Sequence, residues 1–263
     1  MYRYIIGSTI LGGGLWCWLR MEKQQKRMAL LREPLKPEFK AILEKNFPLY
    51  KKLPTDLQGQ LQGLVNVFLA EKRFEGCGGQ EITDEVRVTI AGQACLLLLN
   101  RKTRFFPKLQ TILVYPSTYV GTSAQGGQSR LGESWQNGPI VLAWNSVTGG
   151  AVNMTDGQNV VIHEFAHRLD QEDGDADGAP ILESRGSYTA WAQVLGAEYM
   201  QLVNKTGKHK RSVMNNYGAT NPAEFFAVAT ETFFEKPKQM QKKHPELYEE
   251  LKEYYNLDPI EWV

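Results

Sequence analysis

The stretch Val160-Val161-Ile162-His163-Glu164-Phe165-Ala166-His167-Arg168-Leu169-Asp170 constrains the fold more than any other part of the chain. Its apolar residues Val160, Val161, Ile162, Phe165, Ala166 and Leu169 recur as on a helix, and no Gly or Pro interrupts them. The spacing therefore predicts a mostly buried helix. On it His163 and His167 stand one turn apart and face the same way, as two ligands of a tetrahedral zinc must. Glu164 follows His163 directly, beside the metal rather than on it, where it can take a proton from water activated by zinc. The bland alternative is that two histidines and a glutamate share a buried helix by chance. Two of only four histidines in the chain fall in this HExxH pattern, so the expectation is one catalytic Zn2+ per chain and hydrolysis of a peptide or protein substrate.

The remaining composition sets limits around that site. At 263 residues, with 42% hydrophobic and 22% charged residues, the chain can bury a sizeable core as one large domain or a small pair. Its net charge of +1 gives no electrostatic reason to expect direct binding of nucleic acid. Cys17, Cys77 and Cys95 are odd in number, far apart and in no CxxC pair, so they do not look like a disulfide framework or a cysteine zinc site and suit a reducing compartment.

Three regions follow from the order of the chain: an apolar anchor over residues 1–20, a charged linker over 21–52 and a catalytic domain over 53–263. Tyr4 to Leu19 is an uncharged run, about 24 Å long as a helix against a hydrocarbon core of about 30 Å. Arg20, Lys23, Lys26 and Arg27 follow it and Trp16 and Trp18 sit near its end, the reverse of a cleaved signal peptide. This predicts attachment to the inner membrane through residues 4–19 with the rest on the cytoplasmic side; a soluble cytoplasmic protein is the alternative. Met21 to Lys52 is charged and punctuated by Pro34, Pro37 and Pro48, as in a linker containing short helices.

Helical periodicity continues from Leu57 to Phe74, and Thr83-Asp84-Glu85 opens a second, nearly all-apolar helix reaching Leu99. Thr111 to Tyr115 reads as a strand, Ser117 to Trp135 as loops or a hairpin, and Gly138 to Trp144 as a second strand. The second begins with Pro139, as an edge strand can, and an edge beside the zinc helix would let a peptide add through its backbone; an ordinary core strand is the equal alternative. Asp173 to Gly178 resembles half of a calcium loop but has Ser184 where the pattern asks for Glu, so an acidic turn is expected. Tyr188 to Val203 is a further helix.

Two histidines do not complete a catalytic zinc site, which needs a third protein ligand and an open position. The candidates are Asp170, Glu198, His209, Glu224 and Glu231. Asp170 lies on the HExxH helix itself, where its short side chain suits holding a ligating histidine from behind. Asn221 and Pro222 start a new helix as cap and first residue, which puts Glu224 at its third position. That position suits the reciprocal carboxylate of a capping box as well as a ligand, and local rules leave the two open. Glu231, on the same face as Glu224, suits orienting a histidine or a buried structural role equally.

The run Tyr217-Gly218-Ala219-Thr220-Asn221-Pro222-Ala223-Glu224-Phe225-Phe226-Ala227, following His163-Glu164-Phe165-Ala166-His167, resembles the zinc peptidases of the Mlc titration factor A family. It is also similar to the catalytic domain of anthrax lethal factor, and Gly132 to Leu142 resembles the first family too. The likeness extends from about Leu57 to Pro259. It implies a zincin-like α+β fold of gluzincin type, with a small mixed sheet, an HExxH helix and a C-terminal glutamate helix, here preceded by the N-terminal apolar helix. It also implies that Glu224 is the third zinc ligand, with Tyr217 assisting at the oxyanion, and that aminopeptidase activity is one form the chemistry takes. A transcriptional repressor is the partner implied, so a regulatory binding protein on a zincin scaffold is the alternative function. The run 4–19 departs from the soluble form of that family.

Overall fold

The computed structural model describes residues 18, 20–101, 105–117, 119–120, 129–130, 132–134, 138–182 and 184–262. The uncharged run 4–19, apart from Trp18, lies outside the described residues. The first described helix, α1 over residues 20–32, is not apolar: Arg20, Glu22, Lys23, Lys26, Arg27 and Arg32 lie along it. Among the described residues no helix is long and apolar enough to cross a membrane.

Helix α2 (Pro37–Asn46) and the single turn α3 (Leu49–Lys52) follow. They are the short helices expected of residues 21–52, but the segment is not a linker hung outside a core. Leu35, Phe39, Leu43 and Phe47 recur every four residues and are buried with Leu49, Tyr50 and Leu53 in the common hydrophobic core. Charges on the outward face masked that stripe. Gly92 of α5 (Asp84–Leu96) lets α2 approach, since a Cβ there would stand 2.5 Å from the Leu43 side chain.

Helix α4 (Thr55–Glu71) buries Leu57, Leu61, Leu64, Val65 and Phe68, the face its periodicity predicts. It stops three residues before Phe74 because Lys72 turns extended and Arg73–Gly76 becomes a strand, β1. Thr83 caps α5 by accepting from the Val86 amide at 3.3 Å. The other strands are β2 (Thr111–Tyr115), β3 (Tyr119–Val120), β4 (Ser129–Arg130), β5 (Gly132–Ser134) and β6 (Ile140–Ala143).

The main sheet runs β1-β2-β6-β5, with the first three strands parallel and β5 antiparallel, while β3 and β4 form a separate hairpin. The strand read as an edge, β6, is therefore interior. Pro139 precedes its first paired residue and costs no ladder hydrogen bond, and all four of its residues are buried. Among the described residues the edge beside it is β5.

Six further helices complete an α+β fold: α6 (Trp144–Val152), α7 (Val160–Asp170), α8 (Arg185–Gly207), α9 (Pro222–Glu235), α10 (Pro237–Lys243) and α11 (Pro245–Tyr255). Each of the last three has proline at its start, where the missing N–H is not needed. Helices α7 and α9 pack on each other. Phe165 of α7 fills the space toward the sheet, with ring centroids 5.6 Å from Phe68 and 4.9 Å from Phe106. The stretch that carries the two histidines is thus held by the centre of the core.

Candidate metal centre

The position of α7 is set by the residue just before it. Asn159 precedes the helix, and its Oδ1 accepts from the amides of Val161 and Ile162 at 3.1 and 3.0 Å. Its Nδ2 donates to Gln93 Oε1 at 3.0 Å and to the Gly150 carbonyl at 3.1 Å, which ties the cap to α5 and α6. The absence of a side chain at Gly150 eases this approach, since a Cβ there would meet Asn159 atoms at a tight 3.1 Å. At the other end Arg168, buried, donates to the Gly138 carbonyl at 2.7 Å just before β6. Burial brings the Arg168 pKa down to about 10, against the charge of Glu164.

The start of α9 is set in the same way. Asn221 Oδ1 accepts from the Glu224 amide at 2.9 Å. The Glu224 side chain turns toward α7, with Oε2 3.0 Å from His163 Nε2 and 3.3 Å from His167 Nε2. The two Nε2 atoms are 3.2 Å apart. Among the described residues these three side chains are the one group of His, Cys, Asp and Glu gathered closely enough to hold a metal ion.

Glu231, two turns along α9, completes the arrangement from behind. Its Oε1 accepts from His163 Nδ1 at 2.6 Å and its Oε2 from the Asn159 amide at 2.6 Å. A carboxylate only accepts, so the His163 proton sits on Nδ1 and the Nε2 lone pair points at Glu224 and His167. Two acceptors facing each other at 3.0 Å repel unless a cation or a proton lies between them. The spacings also fit a metal: donors about 2.0–2.1 Å from a tetrahedral zinc lie about 3.3 Å from one another. Without a metal the cluster favours a proton. Burial opposes charge on His163, but Glu231 and hydrogen bonds to Glu224 and Glu231 outweigh it and raise its pKa well above the usual range. For Glu224, burial pushes the pKa up, but hydrogen bonds from His163 and His167 prevail and hold it well below the usual range. A metal ion entering here would therefore compete with a proton.

Glu164 is buried at 5% exposure on α7, close enough for its charge to act on both His163 and Arg168. Tyr217 lies in a 3₁₀ turn, Asn216–Ala219, pinned by Asn215 Oδ1 accepting its amide at 2.9 Å. Its hydroxyl donates to Glu224 Oε1 at 3.4 Å, and its ring centroid is 5.9 Å from that of His163. At 54% exposure it stands at the open side of the cluster.

The other third-ligand candidates lie elsewhere. Asp170 accepts from the Gly178 amide at 3.1 Å, and burial pushes its pKa up to about 6. Glu198 accepts from His244 Nδ1 at 2.7 Å, and His209 is exposed just beyond the end of α8. Asp173 and Asp177 accept from the amides of Asp175 and Ala179, as in an acidic turn. Sequence reasoning missed Asn159, Gln93 and Arg168. An Asn just before an apolar helix is a cap signal that could have marked the first, whereas the other two have no local signature.

A profile of the family described as glucose-regulated metallo-peptidase M90 matches residues 20–256. An uncharacterised protein of Synechocystis is 41% identical over 253 residues, which covers 92% of this chain and 90% of that protein. Mlc titration factor A of Escherichia fergusonii is 31% identical over 229 residues, with 81% of this chain and 84% of that protein covered. The Yersinia pestis protein of the same name is 28% identical over 258 residues, covering 93% and 90%.

Proposed function

The chain belongs to the glucose-regulated metallo-peptidase M90 family, and from that premise we propose that it is a zinc-dependent peptidase with a zincin-like site. The observation that carries this reading is the meeting of His163, His167 and Glu224 donor atoms at 3.0–3.3 Å, with Glu164 next to the first of them. Zinc held by these three would supply a Lewis acid that polarises a carbonyl and acidifies a water. Glu164 would accept the proton of the attacking water and deliver it to the leaving amine. Tyr217 would swing its hydroxyl from Glu224 to the developing oxyanion. Glu231 keeps the His163 lone pair on the metal side. The edge strand β5, beside α7, would receive an extended peptide through its backbone.

Glu164→Gln tests this directly. The variant should keep zinc at one per chain and lose about 10²–10⁴-fold in peptide hydrolysis, because only the proton acceptor is gone. Near-normal turnover with zinc bound would remove Glu164 from the chemistry. His163→Ala should lower the zinc content, and an unchanged content would refute the metal centre.

The name of the relatives supports a second reading, in which this chain binds a transcriptional regulator related to Mlc. A pull-down in which Glu164→Gln retains such a partner while cleaving no peptide would show that the binding role is separate. The uncharged run 4–19 supports attachment to a membrane with residues 20–263 on the cytoplasmic side.

A further inference from the structure

Helix α1 has two unlike faces. One is fastened to α4 and to the loop between α5 and β2. Arg27 donates to both oxygens of Glu71 at 2.5 and 2.8 Å, Lys23 Nζ lies 3.7 Å from the same carboxylate, and the Arg27 guanidinium sits 4.7 Å over the Phe105 ring. Asn66 of α4 donates to the Glu33 carbonyl at 2.8 Å, and the absence of a side chain at Gly63 admits the Leu31 backbone. These anchors at 23, 27 and 31 form one stripe at helical spacing. The opposite stripe is Trp18, Met21, Gln25, Met28 and Arg32, three or four residues apart, and each is exposed. Trp18, Met21 and Met28 are 58%, 62% and 40% exposed, an unusual concentration of large apolar side chains on a helix whose other face is already packed.

Charge indicates what covers this stripe. Arg20, Lys26 and Arg32 flank or end it, and Glu22, paired with Lys26 at 2.7 Å, is the one acidic residue on α1. Residues 20–52 carry ten Lys and Arg against four Glu in a chain whose net charge is +1. Two copies meeting through this stripe would bring their basic flanks together, which repels. A surface that is apolar beneath and anionic above satisfies both features. The membrane attachment proposed for the uncharged run 4–19 would bring α1 to such a surface.

We propose that the outward face of α1 seats on an anionic phospholipid bilayer, with Trp18, Met21 and Met28 at the acyl boundary and Arg20, Lys26 and Arg32 among the headgroups. This builds on the membrane attachment read from residues 4–19, but the two contributions separate. Insertion of the uncharged run resists salt and ignores headgroup charge, whereas the α1 contribution is headgroup-dependent and weakens with salt.

The test is flotation of the full chain with vesicles of phosphatidylcholine alone or mixed with phosphatidylglycerol, at lipid concentrations that half-bind the wild type. Wild type should prefer the anionic vesicles, and the preference should fall as salt rises. Lys26→Glu with Arg32→Glu should cut that preference at least about tenfold, since each basic residue contributes about fivefold near such a surface. Met21→Gln with Met28→Gln should weaken binding to both vesicles severalfold, with an unchanged thermal midpoint confirming the fold. Equal partition of wild type into both vesicles, or variants that bind like wild type, overturns the proposal even if residues 4–19 insert. A lipid-free dimer abolished by the methionine pair would assign the face to a second copy instead.

Discussion

Replacing Glu231 by Gln asks whether α9 determines which nitrogen of His163 carries the proton. The native carboxylate accepts twice, from His163 Nδ1 and from the Asn159 amide, each at 2.6 Å. A carboxamide offers an acceptor at one end and donors at the other, so it cannot serve both. If its oxygen stays on Asn159, its NH2 faces His163 Nδ1, which must become the acceptor. The ring proton then moves to Nε2, the atom facing Glu224 and His167, and blocks it as a ligand. If its oxygen stays on His163, the Asn159 N–H at the start of α7 is left unpaired in a site only 1% exposed, at about 1–3 kcal/mol. The first route should lower zinc affinity about 10–100-fold, as is usual when a partner behind a ligating histidine is lost, whereas the second should lower the unfolding free energy instead. Competition for zinc against a chromophoric chelator near neutral pH measures the first, and urea denaturation the second. Glu235→Gln, one turn further along α9, serves as the control because Glu235 touches neither histidine. A Glu231→Gln variant with zinc affinity within about twofold of wild type and an unchanged unfolding free energy would refute the argument.

Tyr217→Phe should lower kcat about 10²–10³-fold and leave KM nearly unchanged if the hydroxyl serves the oxyanion alone; a raised KM with kcat preserved, or no change, rejects that role. Glu235 yields a stability prediction with a definite sign. It is buried, with Oε2 accepting from the Gln158 amide at 3.0 Å, and burial together with the charges of Glu231 and Asp156 pushes its pKa up to about 8. A folded-state pKa above the unfolded one means the fold favours the protonated acid. Its contribution is whole below about pH 4.5 and is lost as pH rises through about 8. Glu235→Gln should therefore shrink the loss of unfolding free energy between pH 6 and pH 9 by on the order of a few kcal/mol, read by urea denaturation at both pH values. An identical loss in both proteins would show that Glu235 titrates normally.

What was legible in the sequence is what depends on neighbours within a turn or two. Helix α7 with its two histidines on one face follows from spacing alone, because residues four apart share a helical face whatever surrounds them. The caps Thr83 and Asn221 were readable for the same reason: each side chain bonds an amide three residues on. The strand at 111–115 announced itself by its β-branched residues and Pro116. The third donor was not legible locally. Asp170, Glu198, His209, Glu224 and Glu231 are all able to bind zinc, and the choice rests on how α9 packs against α7, which brings together residues 61 apart in the chain. The resemblance to a known family named Glu224, but spacing did not. Tertiary packing alone decided that Glu231 and not Asp170 stands behind a histidine, that β6 is interior while β5 is the edge, and that residues 35–53 enter the core. In each case the local chemistry permits both outcomes. Burial and pairing with a distant element select one, because an unpaired donor or an exposed apolar stripe costs free energy that only the assembled fold can remove.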